Sequence, residues 1–267
     1  LAACAGGGYA AKVLRRATAV APLAAAVVCV AAARADTPAP PSSSVCPTDM
    51  RYVEHDHYEQ INRTCTDKRD GKHCYAYKPG SNRLRGTPQH LAFCMDTYEA
   101  PNVRGDKPLV MQSSVDATRW CAARGKRMCN EIEFESACEG PENLPWSYGW
   151  AADGEACNSA KPWRPFHAEV LYRGGAGEAA ELARLWQGEA SGSRARCATS
   201  TGVYDLVGNV EEWVTSRPSR TWTPVTLIGG FWSKPWTGCR GANDAHEPTF
   251  RFYETGFRCC ANPRRSE

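Results

Sequence analysis

The sequence predicts a loop-rich α+β domain tied together by disulfides, and three observations carry that expectation. Residues 114–129 and 130–140 each read as a capped helix with a stop signal. Three short apolar runs, 203–207, 225–229 and 256–260, have the length of buried strands. Between residues 141 and 240 Gly, Pro and Trp recur without a long periodic run, and cysteine is dense along the chain.

The first 35 residues read as an export signal. Lys12, Arg15 and Arg16 form a basic start, Ala17 to Val30 is an apolar run free of acids, and Ala33-Arg34-Ala35 offers small residues where a signal peptidase cuts. That run is short for a membrane span, so no stable span is expected after cleavage. The whole chain carries a formal charge of +3, and losing Lys12, Arg15, Arg16 and Arg34 leaves 28 basic against 29 acidic residues, a charge of −1. Such a balance gives no basic surface for nucleic acid. Of 14 cysteines, Cys4 and Cys29 leave with the signal. The remaining even set predicts disulfides formed in an oxidising compartment, periplasmic or extracellular. Structural zinc is disfavoured because no C-x2-C pair occurs.

Residues 36–45, "DTPAPPSSSV", form a Pro/Ser linker. Residues 46–90 hold Cys46, Cys65 and Cys74 among polar residues and read as a small disulfide-tied extension. The compact domain is expected over 91–261, with 262–267 as a tail. Its first helix opens on a Ser114 cap with Asp116 in the first turn and stops at Gly125. Its second opens on Asn130, has Glu133 three residues on, and stops at Gly140.

"WCAARGKRMCNEIEFESACEG", "YDLVGNVEEWV", "LIGGFW" and "GFRCC" follow one another in an order and spacing that resemble the formylglycine-generating-enzyme, or sulfatase-modifying factor, family. That family includes ergothioneine-synthesis sulfoxide synthases and a pyoverdine-maturation protein. The resemblance covers about residues 91–261 and implies a C-type-lectin-like fold. It also implies a structural calcium ion held by the Asp205 and Glu212 side chains and the Gly208 and Val210 carbonyls, a donor set of oxygens suited to a hard cation. The family often has Asn at the place of Asp205, so this chain adds negative charge there. Glu211 is expected to face solvent and Trp213 to lie in the core. A second family calcium site would take the Asn158 side chain and the Ser159 carbonyl. The competing reading makes Asn158 a turn residue beside a disulfide.

The pattern breaks at the catalytic positions. The family enzyme holds copper(I) with two thiolates, whose places here fall on Lys234 and Cys239. An ammonium cannot replace a soft sulfur ligand, so copper is not expected. Phe231 also stands where the enzyme has a small serine. Cys239 remains the candidate reactive thiol, set against a disulfide in an even cysteine set. The resemblance implies a Cys121–Cys259 disulfide. It puts Asp244 where the family partner of Cys138 would be, which leaves Cys239 and Cys260 as partners for Cys138. The iron-binding branch needs three histidines on a long helix; His55 and His57 are two residues apart and fall on different faces. His73, His90, His167 and His246 are scattered and read as surface or capping residues.

Two functions follow. One is a binding or scaffold module that takes a peptide, protein or glycan in a cleft near Phe231, Trp232, Lys234, Trp236 and Arg240, with exposed tryptophans as the recognition surface. The other is an enzyme of altered oxidative or maturation chemistry in the same cleft.

Overall fold

The computed structural model describes residues 45–264. The export signal, the linker up to residue 44 and residues 265–267 of the tail lie outside the described residues. Among the described residues four short helices and many short strands make the body of the fold, as an α+β sequence should.

The strands β1 (Met50–His57) and β6 (Gln89–Asp96) pair antiparallel along their whole length, from Met50 opposite Asp96 to His57 opposite Gln89. Strand β12 (Cys259–Ala261) adds to the other edge of β6, and β7 (Arg127–Met128) pairs beyond it, so the sheet order is β1-β6-β12-β7. The segment read as an extension is therefore part of the main sheet. Its β1 pattern is mostly polar, and only Met50, Val53 and His57 are buried. Two small ladders follow β1: β2 (Gln60–Asn62) with β5 (Arg83–Arg85), and β3 (Cys65–Asp67) with β4 (Ala76–Tyr77).

A second sheet has the order β10-β9-β8-β11. It comprises β8 (Glu211–Thr215), β9 (Val225–Ile228), β10 (Ala242–Asn243) and β11 (Thr255–Gly256), with β11 parallel to β8. The expected strand at 203–207 does not form; Asp205 there has a left-handed backbone (φ 58°), which breaks an extended run.

Helix α1 (Ser114–Ala122) is capped by Ser113, one residue before the expected cap. The Ser113 hydroxyl accepts from the Asp116 N–H while the Asp116 carboxylate accepts from the Ser113 N–H. Helix α2 (Glu131–Glu139) has the expected Asn130 and Glu133 capping box and ends at Gly140. It buries Glu131, Glu133, Glu135 and Glu139, and arginines neutralise them: Arg127, just ahead of the helix, on Glu133, and from distant segments Arg217 and Arg220 on Glu131, Arg217 on Glu135, and Arg63 and Arg240 on Glu139. Two helices arise inside the stretch read as loops, α3 (Ala168–Leu171) and α4 (Gly175–Leu185). Their Leu171 and Leu185 pack with Val210, Phe231, Trp232 and Tyr253. The main core gathers Phe93, Met95, Phe134, Trp146, Leu206 and Ile228 between the sheets and α2.

All twelve cysteines of the described residues are paired: Cys46–Cys94, Cys65–Cys74, Cys121–Cys259, Cys129–Cys260, Cys138–Cys239 and Cys157–Cys197. Cys121–Cys259 is the bond that the resemblance implies. Such cross-linking is consistent with an oxidising compartment. Among the described residues no helix is long and apolar enough to cross a membrane.

Candidate functional site

Strand β8 carries two adjacent glutamates, and a strand turns neighbours to opposite faces. Glu212 turns inward. Both its oxygens accept from Arg258, at 2.7 Å from Nε and 2.6 Å from Nη2, with each side chain 1% exposed. Glu99 and Asp205 are buried in the same region. Glu99 accepts from the Ser191 hydroxyl and the Asn209 amide, and Asp205 accepts from the Gly192 N–H. Burial pushes the Asp205 carboxyl up to about 6, and burial together with the Asp205 and Glu212 charges pushes Glu99 well above the usual range. The Glu212 carboxyl is also raised by burial, against the pull of Arg258. Three carboxylates against one guanidinium leave a local excess of two negative charges when all are ionised.

The loop beside these carboxylates is tightly folded. Gly208 has φ 77°, and a Cβ there would come within 2.4 Å of the Asn158 carbonyl oxygen, so only glycine fits. The approach sets Asn158 against the loop: its carbonyl accepts from the Asn209 N–H, and its Nδ2 donates to Gln187 O and Asn209 Oδ1. The Asn158 Oδ1 is buried and has no partner. Ser159 is also buried. Among the described residues no three His, Cys, Asp or Glu side chains converge as a metal cluster. A set of two carboxylates with two carbonyls is of another kind. Its donors are the hard oxygens that a divalent cation takes, while Glu212 gives both of its oxygens to the Arg258 guanidinium.

Glu211 turns outward, but not to solvent as expected. It is 2% exposed, and both its oxygens accept from Lys234 Nζ at 2.9 and 3.2 Å. Lys234 is set by a tight turn in which its N–H donates to Phe231 O and its carbonyl accepts from the Thr237 hydroxyl. The pair divides two cavities. One, of about 390 Å³, is lined by His73, Tyr77 and Trp236, with Trp236 stacked on His73 at 4.6 Å. The other, of about 380 Å³, has aromatic walls and the buried Glu254. Burial, with the Glu211 charge adding to it, pushes the Glu254 carboxyl up to about 8. Burial holds the His246 imidazole below its ordinary value, flat against Phe250 at 3.7 Å.

The five residues expected to share one cleft do not. Phe231 and Trp232 are buried in the core beneath α3 and α4, because the Gly229-Gly230 turn folds them inward. Arg240 is bound to Glu139 and lines a different cavity, with Glu131 and Glu135. Only Lys234 and Trp236 line a common cavity. Cys239 is fully buried and bonded to Cys138, so it is not a free thiol. The sequence reading missed Glu211, Glu254, His246, Phe250 and Phe252 as cavity residues. The every-second-residue pattern Phe250, Phe252, Glu254 in "FRFYE" was the available signal.

The sulfatase-modifying factor enzyme 1-like domain family matches residues 51–263. The chain belongs to that family. The match begins at β1, in keeping with the place of that strand in the main sheet. No curated protein matches the chain. Among solved structures, CarF is similar at 14% identity and a TM-score of 0.51, over 81% of this chain and 98% of CarF. PvdO from Pseudomonas aeruginosa is similar at 17% identity and a TM-score of 0.51, over 80% of this chain and 94% of PvdO. At those identities the likeness is one of fold.

Proposed function

We propose that this family member is an exported, calcium-stabilised binding module that takes a peptide or glycan in the cleft divided by Lys234 and Glu211. The observation that carries the reading is that ion pair: an anchored cation and anion with cavities on both sides, at the place where the family enzyme holds copper. Two-sulfur copper binding does not fit these residues, because an ammonium stands at one position and a disulfide sulfur at the other. Peptide and glycan arrays test the reading. Wild-type protein should bind a defined subset, and Lys234→Ala and Trp236→Ala should lose it while circular dichroism stays unchanged. Full retention of binding by both variants would sink the reading. A second reading, an enzyme of altered chemistry in the same cleft, draws on the raised Glu254 carboxyl beside Lys234, an acid–base pair in a cavity. The expected outcome with a Cys-x-Pro-x-Arg peptide and copper is no formylglycine. Copper-dependent turnover would return the chain to the family's oxidase chemistry.

For calcium, the support is the oxygen donor set of Asp205, Gly208, Val210 and Glu212 and the excess negative charge around it. The partnerless Asn158 Oδ1 supports a second ion, with the Ser159 carbonyl beside it. Calcium should raise Tm by binding the native state, chelator should lower it, and Asp205→Ala should abolish the chelator shift. A Tm indifferent to chelator in the wild type removes calcium from the reading. The export signal and the paired cysteines support a periplasmic or extracellular setting.

A further inference from the structure

Among the described residues a further cavity, of about 430 Å³, shares no lining residue with the two beside Lys234. Three arginines and three glutamates line it, Arg217, Arg220 and Arg240 against Glu59, Glu131 and Glu135, so its charges balance. The inner pairs are made: Arg217 and Arg220 each donate to Glu131 at 2.8 Å, and Arg217 also reaches Glu135. Burial pushes the Glu131 carboxyl up, but the two guanidiniums outweigh it and hold it below its ordinary value, so these pairs are ionised. The rim is different. Glu59, Gln60 and Asn62 are exposed, and Gln60 and Asn62, two apart on β2, share a face. The Ser219 hydroxyl steadies Glu59, 2.8 Å from one carboxylate oxygen. Trp222 completes the lining at 68% exposure. Its indole is nonetheless fixed, because Nε1 donates to Asp244 Oδ2 at 3.1 Å and the Arg220 guanidinium lies 5.4 Å from the ring centroid. An exposed indole already held in place offers an apolar face with little ordering left to lose.

These features select a ligand by elimination. A charged ligand has to compete with ion pairs already made, and drawing one partner away leaves the other unpaired in a largely buried place. A purely apolar ligand covers the rim amides and the Glu59 carboxylate without giving them hydrogen bonds. What fits is neutral, has an apolar face for the indole, and carries groups that both donate and accept. A hydroxyl does both at one atom, which suits a rim of amides and a carboxylate. A pyranose joins these properties in one ring, with an apolar C–H face and an edge of hydroxyls. We infer that this cavity is a separate binding site for a neutral saccharide, with a sugar ring stacked on Trp222 and its hydroxyls on Glu59, Gln60 and Asn62. The site does not depend on the cleft divided by Lys234 and Glu211.

NMR titration of the full mature chain with methyl β-glucopyranoside, methyl α-mannopyranoside, methyl β-galactopyranoside and sorbitol tests it. At least one glycoside should bind about tenfold tighter than sorbitol, which has the hydroxyls but no ring face to stack. Trp222→Ala should weaken that glycoside about tenfold, and Trp222→Phe should recover part of the loss. Because the indole is exposed, both variants should melt where the wild type does. Methyl glucuronide should bind no tighter than methyl glucoside, since the cavity has no charge to spare. Failure of every glycoside, parity with sorbitol, or unchanged binding in Trp222→Ala overturns the inference. A preference for the glucuronide overturns it in favour of an anion site. N-acetyl-glycyl-serine amide bound as tightly as the best glycoside overturns it in favour of a peptide surface. Glycoside binding lost in Lys234→Ala but kept in Trp222→Ala assigns the sugar to the cleft, which overturns this inference and leaves the cleft reading standing. Glycoside binding lost in Trp222→Ala but kept in Lys234→Ala supports the separate site, whatever the arrays show for the cleft.

Discussion

Glu211 and Glu212 are neighbours on one strand, yet they serve two regions of different character. Glu212 meets Arg258 where both are sealed from water. Glu211 meets Lys234 at a wall between two cavities, where the lysine side chain is 27% exposed. The inner pair sits among further carboxylates and closes the packing of the β8–β11 edge. The outer pair has room beside it on both sides. The contrast teaches that strand alternation can put a sealed ion pair and a cavity-lining ion pair in consecutive residues. What separates them is the space left around each.

The strongest way to break this contrast is to remove each cation in turn. Arg258→Met leaves Glu212 as a buried charge without a partner, and should cost about 3–5 kcal/mol in denaturant unfolding. If it costs no more than Lys234→Met, the inner pair is not the structural one. A second measurement sharpens the outer region through pH. The Glu254 carboxyl lies near 8 in the fold against an ordinary 4.5, so its protonated form is favoured by folding. Stability from this group is full below about pH 4.5 and is lost as pH rises towards 8. Glu254→Gln should therefore stabilise the calcium-free protein at pH 8, on the order of 3 kcal/mol, and change little at pH 4.5. The same gain at both pH values would show that the carboxyl is not raised. The smallest expected effect is that of Lys234→Met, about 1–2 kcal/mol, because the lysine side chain is 27% exposed and the pair it makes is already partly solvated. Its array binding should nevertheless disappear.

Helix α2 was readable because its signals are local: Asn130, Glu133 and Gly140 lie within eleven residues and act through their own backbone. The four motifs likewise announced the family. Strand β1 escaped because "MRYVEHDH" is polar at most positions, and its strand character comes from pairing with β6, about forty residues away. Glu211 was misjudged for a related reason. Its burial depends on Lys234 and on the Glu254 carbonyl that accepts its N–H, neither of which its own segment reveals. Phe231 and Trp232 looked like part of a recognition surface because exposed tryptophans make good ones. The helices α3 and α4 that cover them lie in a stretch whose pattern is too short to read. The site was thus legible where spacing decides and hidden where distant segments meet.

The disulfides also have a topological meaning. Cys46–Cys94 brackets one stretch of chain, while Cys121–Cys259 and Cys129–Cys260 bracket another. A protease that nicks any single bond within 47–93 or 130–258 would leave both pieces joined through sulfur. Between Cys94 and Cys121 no bond among the described residues spans the chain. That stretch includes the loop from Thr97 to Gln112 that leads into α1. One cut there frees two fragments without any reductant. Seen in this way, the described residues are two closed rings of chain on a single thread, and a non-reducing gel after limited proteolysis would reveal the thread by the cut between Cys94 and Cys121 that parts the two rings.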